Sequence, residues 1–166
     1  AKAYNNVGNI LKEQNKFEEA IEAFNQAIGI IPNYAEAYSN MGNVLKEQGK
    51  LGEAIQAYNQ SITIKPDYAA AYNNLGNALK EQGKLDEAIQ SYKQAIKIEP
   101  NSAEPHNNIG NVLFDQGNLE EAIEAYNKAL SIDPSSIEIY SNLGMSLQGQ
   151  NRLEDAIAAF EKALSI

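Results

Sequence analysis

Residues 35–68 read AEAYSNMGNVLKEQGKLGEAIQAYNQSITIKPDY, and residues 69–102 read AAAYNNLGNALKEQGKLDEAIQSYKQAIKIEPNS. Laid over one another, the two segments keep Gly at the eighth place (Gly42, Gly76), Ala at the twentieth (Ala54, Ala88) and Pro at the thirty-second (Pro66, Pro100). Outward from this pair the same 34-residue frame holds over 1–34, 103–136 and 137–166, the last segment four residues short. Gly8, Gly110 and Gly144, with Ala20, Ala122 and Ala156 and with Pro32 and Pro134, fill the matching places. So strict a period means one supersecondary unit stacked repeatedly, with function displayed on a repeating surface. We read 1–166 as a single array of five repeats. Because it opens without Met at the first place of a repeat, we also read it as a piece of a longer protein.

Each unit divides into two amphipathic helices. In the second repeat Tyr38, Met41, Gly42 and Leu45 follow helical spacing, Gly49 interrupts, and Leu51, Ala54, Ile55, Tyr58 and Ile62 resume it. The interrupting place is Asn15, Gly49, Gly83, Gly117 or Asn151. Gly and Asn are the residues that best tolerate a left-handed backbone, so this place is a helix C-cap. Acidic residues such as Glu18, Glu19, Asp86 and Glu87 open the second helix, where they suit its positive end. Pro near the repeat end stops that helix, and Asn33, Asp67, Asn101 and Ser135 are the expected N-caps of the next. Gly8 and Ala20, with their equivalents, remove bulk where two helices approach. A larger residue there overpacks the contact by roughly 1–3 kcal/mol.

The pattern Tyr-x-x-(Leu/Met/Ile/Val)-Gly-x-x-Leu, followed by Ala, Tyr or Phe, Ala and Pro, resembles the tetratricopeptide repeat over the whole chain. The resemblance implies an all-α, right-handed solenoid of antiparallel helix pairs whose first helices line a concave groove. It departs from the pattern at His106, which stands where the other repeats have Tyr, and at Ser61, which stands where they have Ala. Pro105 falls in a first helical turn, where the ring is tolerated.

Composition removes several functions. A net charge of −9 argues against nucleic acid or an anionic membrane as the main partner. The chain has no Cys, and no phosphate- or dinucleotide-binding glycine pattern occurs, so nothing calls for a metal or cofactor. His106 is the one histidine, and its place in the repeat makes it a packing residue. The carboxylates belong to helix starts and to Lys-Glu surface runs, which are solvated faces and not paired acid–base groups. We therefore read the chain as non-enzymatic.

By the same resemblance, the groove is lined by places two, five, six, nine, twelve and thirteen of the first helix. Helical geometry independently sets two, five, nine and twelve on one stripe, with six and thirteen beside it. Place six is Asn6, Asn40, Asn74, Asn108 and Asn142; place nine is Asn9, Asn43, Asn77 and Asn111, then Met145. Place five adds Asn5, Ser39, Asn73, Asn107 and Ser141. Asn is a poor helix-interior residue, so the repetition requires a cause. One cause is a ligand: the amide carries donors and an acceptor that match the backbone of an extended peptide. The other is fastening between neighbouring helices. The ladder resembles the asparagine-lined repeats of O-linked N-acetylglucosamine transferases, which hold substrate backbone. It differs from repeats that clamp a terminal carboxylate with Lys or Arg at places two, five and six, since only Lys2 qualifies here.

Lys12, Lys46 and Lys80 form a basic stripe at place twelve, available to acidic groups of a ligand or to Glu13, Glu47 and Glu81. Place twelve becomes Phe114 in the fourth repeat. Phe114 with Met145 is expected to make a side-chain pocket pointing away from the core. The resulting expectation is a protein-interaction scaffold that holds a peptide or partner segment. The alternatives are a substrate-recognition segment of a larger enzyme such as a glycosyltransferase, and a self-associating array. For the last, Phe160, Leu164 and Ile166 are expected to be uncovered and to permit end-to-end homo-oligomers.

Overall fold

The computed structural model describes residues 1–166 and consists of ten α-helices with no strand. They fall into two units, residues 1–98 and 99–166. The first holds α1 (Lys2–Glu13), α2 (Phe17–Ile30), α3 (Ala35–Glu47), α4 (Leu51–Ile64), α5 (Ala69–Glu81) and α6 (Leu85–Ile98). The second holds α7 (Ala103–Asp115), α8 (Leu119–Ile132), α9 (Ile137–Gly149) and α10 (Leu153–Leu164). Two helices per 34-residue frame is the arrangement the periodicity predicts. No helix is long and apolar enough to cross a membrane.

In residues 1–98 each odd-numbered helix pairs with the even-numbered helix after it, and that helix packs in turn against the next odd one. The odd helices also touch their own kind, α1 against α3 and α3 against α5, so they form a continuous row. Residues 99–166 repeat the scheme, with α7 against α8, α8 against α9, α9 against α10 and α7 directly against α9.

The glycine at place eight serves an aromatic ring and not a bare backbone. A Cβ on Gly76 would stand 2.4 Å from the Tyr92 ring, and one on Gly42 2.7 Å from Tyr58. Gly8 faces Phe24, Gly110 faces Tyr126 and Gly144 faces Phe160 in the same way. The aromatic at place twenty-four thus fills the space the glycine vacates. Phe24, Tyr58, Tyr92 and Tyr126 are all buried; Phe160 packs against the core of residues 99–166 and is partly buried, whereas its position near the chain end suggested exposure. Leu164 and Ile166 are exposed as expected.

Helix ends follow the sequence on one side and depart from it on the other. Asn15 has φ 58° and Gly83 φ 80°, each one residue past its C-cap. Lys16 N donates to Leu11 O at 2.9 Å and Asn15 N to Lys12 O at 2.8 Å, the paired bonds that close a helix on a left-handed residue. The N-caps, in contrast, lie one residue later than expected: Tyr34, Tyr68, Ser102 and Ser136. Asn33, Asp67, Asn101 and Ser135 belong instead to the turn after proline, and Ser135 donates to Asp133 Oδ1. Of the four caps only Ser136 accepts a backbone N–H, from Ile139. Ser61 has a specific use: its hydroxyl donates 2.8 Å to the Ala35 carbonyl in a buried site.

Candidate functional site

The odd helices carry the asparagines, and the structure separates them by place. Place five is not on a solvent-facing stripe. Asn5, Ser39, Asn73 and Asn107 are buried, and Asn5 and Asn107 are hydrogen-bonded to the next odd helix. Ser141 stays partly exposed and donates to its own helix at Ile137 O.

Place six reaches back to the preceding repeat. Asn40 Nδ2 donates to Asn5 Oδ1 at 3.0 Å. Asn142 Nδ2 lies 3.1 Å from both Asn107 Oδ1 and Asn111 Oδ1. Asn107 completes its own set by donating to Glu138 Oε1 at 3.0 Å. At Asn40 and Asn142, then, the amides join consecutive odd helices. Asn108 is also engaged by neighbouring groups. Asn6 is exposed and Asn74 partly buried, and neither side chain is hydrogen-bonded within the chain.

Place nine reaches down to the aromatic of its own repeat. The Tyr58 hydroxyl donates to Asn43 Oδ1 at 2.7 Å, Tyr92 to Asn77 at 2.8 Å and Tyr126 to Asn111 at 2.8 Å. Burial, then the negative charge of Glu81 and Glu47, holds the Tyr58 phenol far above its ordinary range. Burial with Asp115 and Glu138 does the same for Tyr126. These hydroxyls keep their protons and act as donors, and a buried donor needs an acceptor. The sequence agrees in two ways. The fifth repeat has Phe160 in place of Tyr and Met145 in place of Asn, and the first has Phe24, which leaves Asn9 without a hydroxyl to bind. Tyr58, Tyr92 and Tyr126 were missing from the sequence-derived site. The joint change of places nine and twenty-four in the last repeat is the signal that points to them.

The lysine stripe is matched within the array. Lys12 Nζ lies 3.1 Å from Glu47 Oε1, and Lys46 Nζ 3.0 Å from Glu81 Oε1, so place twelve pairs with place thirteen of the following repeat. Lys80 is likewise engaged. These pairs are half-exposed and stabilise by about 0–1 kcal/mol each.

Phe114 differs from its expected role. It is partly buried and packs against the core cluster of residues 99–166, so it does not stand free of the core. Met145, 44% exposed, stays at the surface. His106 is partly buried and its pKa is lowered, by burial first and by Lys128 second, as suits a neutral packing residue. No group of His, Asp and Glu side chains is placed to hold a metal ion.

The repeat geometry now stands beside known proteins. The family described as TPR repeat matches residues 8–49, 42–83, 76–117 and 110–150, and that described as tetratricopeptide repeat matches 137–166. The chain belongs to the tetratricopeptide-repeat family. Among solved structures, MamA is 28% identical with a TM-score of 0.85, over 96% of this chain and 93% of that one. PilF of Pseudomonas aeruginosa is 20% identical with a TM-score of 0.91, over 99% and 75% of the two chains. YrrB, described as a TPR protein with an unusual peptide-binding site, is 23% identical with a TM-score of 0.74, over 98% and 84%. The last two likenesses are of fold alone. No curated protein matches the sequence closely enough to lend it a specific role.

Proposed function

We propose that this chain is a protein-interaction scaffold of the tetratricopeptide-repeat family that holds an extended polypeptide along the odd-numbered helices α1, α3 and α5 of residues 1–98. The supporting observation is the hydrogen-bonding capacity left over once the internal bonds are made. Asn6, Asn9 and Asn74 spend none of their amide groups inside the chain, and the N–H groups of Asn43 and Asn77 remain unspent although their oxygens are taken. An unspent amide on a helix with poor intrinsic preference for Asn is the pattern a backbone-reading surface requires. YrrB, with its peptide-binding site, lends the reading support by likeness.

The test is the triple variant Asn6→Ala, Asn9→Ala and Asn74→Ala, measured against a peptide selected from an extended-peptide library. These three amides hold nothing together, so the variant should melt at or above the parent temperature, Ala being the better helix former. Three net hydrogen bonds of roughly 0.5–1.5 kcal/mol each should be lost from binding. Unchanged affinity in fluorescence anisotropy would remove the groove from consideration.

A second reading has its own observation. Val7 is 46% exposed although its equivalent Leu143 is 8% exposed, and Ile157 is 57% exposed although its equivalent Ile123 is 7% exposed. Those two places face neighbouring repeats elsewhere in the array, and a second copy of the chain is a partner that fits them.

A further inference from the structure

We infer that the cavity enclosed by α2, α3 and α4 takes an apolar side chain of a basic polypeptide segment, at a site separate from the groove places of the odd-numbered helices. All three helices lie within residues 1–98. The inference goes beyond the groove reading and stands whether or not the odd helices hold a segment.

The cavity measures about 340 Å³, within the range of roughly 300–1,000 Å³ usual for ligand sites. Its apolar wall is Ile21 of α2, Met41 and Leu45 of α3, and Ala57 of α4. Met41 and Leu45 hold places seven and eleven of their repeat, outside the places expected to line the groove. Ala57 is small, and Ile21 and Met41 are only partly buried, so one further apolar side chain gains contacts here that the chain itself does not supply. The flexible thioether of Met41 adapts to the shape of that side chain.

The rim decides the kind of ligand. Asn25, Gln56 and Gln60 border the cavity and spend no side-chain hydrogen bond within the chain. Their amides carry both donors and an acceptor, the complement of a polypeptide backbone. Glu53 is the one charged residue of the lining and has no ion pair. Its charge is not isolated: α2 carries Glu18, Glu19 and Glu22, and neither α2 nor α4 contains a Lys or Arg. A surface of one sign favours a partner of the other, so a Lys or Arg beside the inserted apolar residue is the complement.

The next repeat supplies a comparison. Ile55, Asn59, Leu75, Leu79 and Glu87, each 34 residues after its counterpart, line a cavity of about 440 Å³. There Lys84 joins the lining, and α6 adds Lys93 and Lys97. Glu87 therefore does not stand in a field of one sign. The shape recurs from repeat to repeat, and the charge sets the α2–α3–α4 cavity apart.

The chain holds two methionines, Met41 in this cavity and Met145 in residues 99–166. Labelling the methionine methyl groups with ¹³C thus gives one signal at the site and one reference, and Met41→Leu assigns them. The probe is the peptide acetyl-Ala-Lys-Leu-Lys-Ala-amide, with acetyl-Ala-Glu-Leu-Glu-Ala-amide as its acidic match. The basic peptide should shift Met41, leave Met145 still and bind more tightly than the acidic one. Glu53→Lys should weaken the basic peptide roughly threefold or more and strengthen the acidic one. Glu53→Gln, which keeps the shape, should fall between, and circular dichroism checks that both variants fold. Equal binding of the two peptides, or an unchanged affinity in folded Glu53→Lys, would show that charge does not choose the occupant and would overturn the inference. So would a Met41 signal that neither peptide moves, even if Asn signals of the odd helices respond and the groove reading stands. A Met41 shift that follows protein concentration without peptide would make a second copy the occupant, and would overturn it too.

Discussion

A single oxygen at place twenty-four separates the first repeat from the three that follow. Phe24, Tyr58, Tyr92 and Tyr126 fill the same glycine-lined space, but only the tyrosines meet an asparagine oxygen. Phe24→Tyr should supply the missing bond to Asn9 and stabilise residues 1–98 by about 0.5–1.5 kcal/mol, seen as a higher urea midpoint at unchanged slope. Gly76→Ala is the opposite case. Its methyl group would sit 2.4 Å from the Tyr92 ring, a contact that only displacement relieves, and should cost roughly 1–3 kcal/mol. His106 introduces a pH dependence whose sign follows from its lowered pKa. As pH falls below about 6.5 the unfolded chain takes up the proton first. Stability contributed by the neutral, partly buried ring is therefore present above that pH and lost as pH falls toward the folded-state pKa. His106→Tyr, which restores the residue of the other repeats, should flatten the difference between melting temperatures at pH 7 and pH 5.5. An identical pH slope in both proteins would show that His106 does not contribute.

At the scale of helices, what joins one repeat to the next is polar as well as apolar. Asn142→Ala removes both bonds from α9 to α7 and leaves the buried Asn107 oxygen without its partner. Residues 99–166 should lose about 1–3 kcal/mol, and a melting temperature equal to the parent's would mean that water replaces the amide fully. Phe114→Ala belongs with this variant. Its ring packs on the core cluster, so stability should fall by roughly 2 kcal/mol as well as any binding. The contrast shows which features were legible in sequence. The helix pairs, the left-handed C-cap at Gly49 and its equivalents, and the glycine at place eight could all be read, because each is a local or periodic constraint that one residue type satisfies. The N-caps were misplaced by one residue because Asn33 and Asp67 suit a turn and a cap equally well. The resemblance and the helical stripe both put place five in the groove, but single-helix spacing does not show what the next odd helix covers, and Asn5 and Asn107 are buried and bonded to the next repeat. The direction of an amide is set by a tertiary partner fifteen residues away, which helical spacing alone does not reveal.

For the molecule as a whole, charge and exposed apolar area oppose one another. A net charge of −9 makes two copies repel, with a range of about 10 Å at 0.1 M salt. Against this stand Tyr4, Val7 and Ile10 on α1 and Leu153 and Ile157 on α10, all exposed, at places whose equivalents pack together within the repeats. A contact joining α10 of one copy to α1 of another is heterologous, since the two surfaces differ, and so does not close at a dimer. Association should therefore rise with protein concentration without reaching a defined stoichiometry. It should also rise with salt, because salt screens the repulsion and leaves the apolar contact intact. Light scattering of the chain across a concentration series at 0.05 M and 0.5 M salt measures both trends. Ile157→Lys sets a charge in the centre of one surface without touching the buried core, and should hold the protein monomeric at either salt. A parent chain that stays monomeric throughout would mean that repulsion dominates and that these surfaces do not bind a second copy.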